Sequence, residues 1–300
     1  MKVRCPLLFC LGAMMLGGCG KREETPPSLA ELKNATYHGL ELTQETVTLK
    51  DGVWEGAPDP AEEAMRSIVV LLRDFHMEGD PDRDGVKEAV VLLEENAGGT
   101  GHYLYVAVVR REQGKPVNVA TALVGDRVQV RDARMTPEGF ELDIVRAGPE
   151  DALCCPGELA TKFWELRGRR LNERAEPRVT GRLSLETLAG ASWQLAFWGW
   201  DEPLEEGPAP VVRASHEGLT GHGGCRSFTA PVTEGSVPGE ITVGPVAPAH
   251  GGCGAGQQER ERRFFSLLES AGKFGFVGGR LAFHYERPEG MGVMLLERVR

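Results

Sequence analysis

The chain has 300 residues, 41% of them hydrophobic, and a formal net charge of −10. That size and apolar content suffice for two modest domains, and the acidic balance argues against nucleic acid or a polybasic membrane patch as a partner. With 39 glycines, 19 prolines and few helical periodicities, the composition predicts short strands and many turns. The expected fold is mainly β with minor α (α+β), divided into two small β-rich domains.

At the N-terminus, Lys2 and Arg4 precede an apolar run from Cys5 to Leu16. A membrane-spanning helix needs about 20 apolar residues, so this run reads as the core of a signal peptide. Leu16-Gly17-Gly18-Cys19 resembles a bacterial lipobox. That resemblance implies removal of residues 1–18 and lipidation of Cys19, which would attach the protein to a membrane through its acyl chains. Gly20 rather than Asp comes after the cysteine, which implies the outer membrane of a diderm envelope, facing the periplasm or the cell surface. Residues 19–33 are polar and read as a tether.

A first β-rich domain is expected over residues 34–172. Asp51-Gly52 marks a hairpin turn ahead of Trp54. The stretch from Arg66 to Met77 fits either a helical stripe or a strand, and the strand is preferred because an acidic turn and a second apolar run come directly after it. Asp80-Pro81-Asp82-Arg83-Asp84-Gly85-Val86-Lys87-Glu88 places carboxylates at alternate positions and then a glycine. This is the first half of a calcium loop, with Asp80, Asp82, Asp84, the Val86 carbonyl and Glu88 as oxygen ligands for Ca2+. Position 12 of such a loop would be Val91 instead of the bidentate glutamate, which rules against an EF-hand. The apolar run Ala89–Leu93 makes the context strand–loop–strand.

Strands are then expected over 102–109, 117–123, 127–131 and 141–145, with glycine turns between them. Asn96-Ala97-Gly98-Gly99-Thr100-Gly101 lacks the Gly-Lys-Ser/Thr of a phosphate loop and reads as a hairpin tip. The run from the Asp loop to Cys154-Cys155-Pro156 resembles a module of bacterial envelope lipoproteins and implies no catalytic residue. Adjacent Cα atoms stand about 3.8 Å apart, whereas disulfides usually want about 4.4 Å or more. A vicinal Cys154–Cys155 bridge would therefore be strained and easily reduced. A structural role is preferred and a redox role stays open.

Residues 173–187 are charged and read as a linker. Beyond them, Leu188-Ala189-Gly190-Ala191-Ser192-Trp193-Gln194-Leu195 and Gly223-Gly224-Cys225-Arg226-Ser227-Phe228 resemble the opening strand and central signature of the META (HslJ-like) domain. Arg226 stands where that signature has Asn. Cys253 falls at the second cysteine position, residues 259–268 match the helix and 279–283 the closing strand. The resemblance implies a small α+β domain over 188–300, found in envelope and stress-associated proteins, with no established enzyme chemistry. The helix is amphipathic, with Phe264, Leu267 and Leu268 facing inward and Arg260, Glu261 and Arg263 opposite.

His222-Gly223-Gly224-Cys225 recurs as His250-Gly251-Gly252-Cys253. His222, Cys225, His250 and Cys253 together would suit Zn2+ or Cu+. A Cys225–Cys253 disulfide is the alternative, and an oxidising envelope favours it. Motifs of zinc proteases, α/β-hydrolases, dinucleotide folds and phosphate loops are missing. The expected protein is thus not an enzyme but a lipid-anchored envelope protein with a binding or stress-maintenance role. The alternatives are a metal-handling or thiol-redox protein and an enzyme with a dispersed site.

Overall fold

A strand that is apolar at every position has to be covered on both faces. The run Ala89–Leu93 is such a strand, and its five residues are fully buried. The computed structural model describes residues 25–41, 46–58, 66–174 and 176–299, with the side chains of residues 73 and 74 excepted. The expected signal peptide, residues 1–18, and the expected lipidation site, Cys19, lie outside the described residues.

The chain begins with a short helix, α1 (Leu29–Leu32), and a two-stranded ribbon, β1 (Thr36–Tyr37) and β2 (Val47–Thr48). Five antiparallel strands come next as a meander: β3 (Val53–Pro58), β4 (Arg66–Gly79), β5 (Glu88–Asn96), β6 (Tyr103–Glu112) and β7 (Lys115–Asp126). A second sheet holds β8 (Gln129–Thr136), β9 (Gly139–Arg146), β10 (Glu158–Arg167), β11 (Arg170–Glu173) and β12 (Arg178–Arg182). The ambiguous stretch 66–77 is therefore strand. The strand expected at 127–131 starts two residues later, because Arg127 sits at φ 52 in the turn.

The two sheets pack face to face. Val90, Leu92, Leu104 and Val106 of the first meet Phe140, Leu142, Ile144 and Trp164 of the second. The opposite face of the first sheet, with Val91, Leu93, Tyr105 and Ala107, is covered by Leu32, Tyr37, Leu40 and Val47. This corrects the tether reading at its C-terminal end. Ser28 and Glu31 form a capping box at α1, and Arg111 holds Glu31 through two 2.7 Å hydrogen bonds. That guanidinium, with Ser28, keeps the Glu31 carboxyl down at about 2. The polar letters hid a short element whose single buried residue, Leu32, is fully enclosed.

The linker reading is corrected as well. Within 173–187, β12 pairs with β10, and Leu183 and Leu185 are buried in the C-terminal core. All five residues of β12 are exposed, so backbone pairing rather than burial holds it and no apolar alternation marks it. A 3-10 turn (Leu185–Leu188) then leads into the last domain.

That domain is built on an eight-stranded antiparallel sheet. Its strands in chain order are β13 (Trp193–Phe197), β14 (Val211–Ser215), β15 (Gly218–His222) and β16 (Ser227–Ala230), then a separate ribbon of β17 (Val232–Glu234) and β18 (Ile241–Val243). β19 (Ala247–Pro248), β20 (Ala271–Val277), β21 (Arg280–Arg287) and β22 (Gly290–Arg298) complete it. Helix α2 (Ala255–Glu269) buries Phe264, Leu267 and Leu268 against one face. No helix among the described residues is long and apolar enough to cross a membrane.

Candidate metal centre

β4 and β5 are joined by the Asp loop, and Gly79 and Glu88 are paired across its base. Left-handed backbone at Arg83 (φ 59) and Gly85 (φ 86) curls the loop. Its amides turn onto its own carboxylates, as short acidic side chains favour. Asp84 N donates to Asp80 Oδ1 at 3.1 Å and to Asp82 Oδ1 at 3.3 Å. Gly85 N donates to Asp80 Oδ2 at 3.0 Å, and Val86 N to Asp84 Oδ1 at 2.8 Å.

Within this frame, oxygens of Asp80, Asp82 and Glu88 lie within 4.8 Å of one another. Oxygens sharing an ion at about 2.3–2.6 Å cannot stand farther apart than about twice that distance, so the trio fits one Ca2+. Glu88 is fully buried, and neither carboxylate oxygen has a hydrogen-bond partner. Burial, joined by the charges of Asp82 and Asp84 and opposed by Arg110, pushes its carboxyl up to about 8. Burial likewise raises Asp82. A buried, unpartnered carboxylate facing two more carboxylates is costly without a cation. The donor set is all oxygen, which suits a hard cation.

The fit to the expected ligands is partial. Asp84 is not in the trio; its Oδ2 accepts from Arg110 at 3.4 Å. Val86 engages the loop through its N–H, which donates to Asp84. Arg110 on β6 cannot be singled out from sequence, because nothing near it in the chain marks it as a neighbour of residue 84. Arg83 reaches the second sheet by donating from Nε to the Pro137 carbonyl.

The other candidates separate clearly. Cys225 and Cys253 form a disulfide, with Cα atoms 6.0 Å apart. Their sulfurs are joined, so the Zn2+ or Cu+ set of His222, Cys225, His250 and Cys253 is not assembled. His222 and His250 are exposed, and His222 Nδ1 accepts from Gly224 N at 3.1 Å. Cys154 and Cys155 are free cysteines in the turn between β9 and β10, with sulfurs 2.6 Å apart.

Glu261 departs from the expected solvent-facing side of α2. It is fully buried. Arg226 donates to it from N (2.7 Å), Nε (2.8 Å) and a terminal nitrogen (2.6 Å). Gly223 lies directly beneath, where an added Cβ would stand 2.8 Å from Glu261 Cγ and 2.6 Å from the Phe265 ring. The glycine, the arginine and the helix glutamate form one packed unit.

No curated protein and no solved structure matches the chain. Residues 186–296, from the 3-10 turn to β22, match the family model of the META domain, and the C-terminal part of this chain is similar to that family.

Proposed function

We propose that this is a lipid-anchored, non-catalytic binding protein of the bacterial cell envelope, held through Cys19, whose first domain binds calcium. The META domain suggests an envelope-associated, non-catalytic role. The observation that carries the calcium reading is Glu88, buried with both oxygens unpartnered beside Asp80 and Asp82. A loop with few committed ligands suits a weak site, of the kind that calcium fills outside the cytoplasm. The bound ion would fix the β4–β5 turn and, through Arg83, its contact with the second sheet.

Calcium at millimolar concentration is expected to raise the melting temperature of the mature protein, and Asp82→Ala to abolish that rise. Glu88→Met is expected to do two things at once. It removes the response to calcium, and it stabilises the calcium-free protein by about 1–3 kcal/mol, because a buried polar group without a hydrogen-bond partner is replaced by an apolar one. A wild-type protein indifferent to calcium would remove the ion from this function.

A second reading, thiol-redox activity, draws on the 2.6 Å separation of the Cys154 and Cys155 sulfurs. The expectation is that protein purified in air shows no free thiol. Two thiols should then appear under mild reductant before Cys225–Cys253 opens. Two free thiols at the outset would end the redox reading.

A further inference from the structure

The seam between the second sheet and the META domain carries a cation that the calcium site does not use. β8 matches β9 at Val130 with Ile144, and next at Asp132 with Asp143. Arg131 is thus the extra residue of a β-bulge, a device that re-aims a side chain out of the ladder. The bulge docks on the turn between β20 and β21. Gly279 N donates to the Val130 carbonyl at 2.9 Å, and Phe276 N donates to Gln129 Oε1 at 2.8 Å.

The Arg131 guanidinium lies 5.5 Å from the centre of the Phe276 ring. Its Nε is buried without a hydrogen-bond partner, and among the described residues it belongs to no ion pair. Burial, with help from Arg298, depresses its pKa despite Asp143 and Asp132. Beside it opens a cavity of about 700 Å3 between the two domains, which also takes in Arg280, Arg298, Phe75, Met77 and Val299. Asp132 and Glu297 are its only carboxylates among the described lining residues, against three arginines. Glu297 is engaged by Arg280 at 2.8 Å, and Asp132 lies 3.8 Å from Arg298. A cationic cavity in a chain of net charge −10 is a local reversal of sign.

We propose that this cavity binds a small organic anion, with Arg131 taking its carboxylate or phosphate group and Phe75, Met77 and Val299 its apolar part. The guanidinium is a planar fork that matches either oxyanion. Clefts between domains are a common place for ligand sites. The inference does not depend on calcium or on the lipid anchor.

The test uses inorganic phosphate and sodium decanoate as probes, with isothermal titration calorimetry and thermal melting of the mature protein. At least one probe is expected to bind and to raise the melting temperature. Decanoate alone assigns an amphipathic carboxylate, and phosphate alone a phosphate ester. Arg131→Met should weaken the bound probe by about tenfold or more while melting no lower than wild type in probe-free buffer, because the guanidinium has no ion pair to lose. Arg298→Met should weaken binding less and carries the same readout if the first variant does not fold. The proposal is overturned if neither probe binds, if Arg131→Met binds as tightly as wild type, or if that variant melts lower without probe.

Discussion

Alanine at Glu261 is expected to cost the META domain about 3–5 kcal/mol of unfolding free energy. The loss comes from what stays behind. Arg226 donates three hydrogen bonds to this one fully buried carboxylate. Truncation leaves a backbone N–H and a guanidinium facing a space closed by Gly223 and Phe265. It also unfastens α2 from the turn that joins β15 and β16. Urea denaturation monitored by tryptophan fluorescence measures the loss. Glu261→Gln, which keeps an acceptor for the Arg226 amide, should lose less. A loss below about 1 kcal/mol would place the pair among ordinary exposed ion pairs.

Replacing Cys225 and Cys253 together by serine is expected to remove about 3.5 kcal/mol, the loop-entropy value for a separation of 28 residues. The bridge also serves the start of α2. That helix is capped by Gly254 with no side-chain cap and no acidic residue in its first turn. Cys253 is the residue before the cap, so the bridge holds the entry to the helix in place, assisted by Gln258 Nε2 donating to the Cys253 carbonyl at 2.8 Å. Cys225 and Arg226 are neighbours in the chain, so the two losses share one turn. Combining Glu261→Ala with the serine pair should cost less than the sum, with a coupling of about 0.5–3 kcal/mol. Strict additivity would mean that the turn does not transmit order between the bridge and the ion pair.

What the residues disclose depends on whether a physical cause leaves a periodic trace. The strands of the first sheet alternate or run apolar, and Ala89–Leu93 announces double burial. The spacing of the Asp loop is equally plain, and the structure places Asp80, Asp82 and Glu88 close together. Asp84 misleads because its partner, Arg110, lies 26 residues away on another strand. α1 and β12 read as tether and linker because capping and backbone pairing hold them, and neither writes an apolar pattern. The charge of Glu261 places it on the polar side of α2. Only the Arg226 substitution in the family signature points to a paired carboxylate. Arg131 is invisible from sequence, since a bulge is a property of register.

The cover formed by residues 28–41 and 46–49 over the first sheet carries a consequence for the order of folding. Its fastenings are remote: His38 N and Nε2 meet Asn118, and Glu31 meets Arg111, in each case across 80 residues of sequence. Such non-local closure pays its loop entropy before its contacts reward it and slows folding. In a chain that emerges from its N-terminus, the earliest segment of the domain to appear must therefore wait, apolar side chains unclaimed, until β7 is made. The interval between those two events is when this domain is most open to a chaperone or to aggregation.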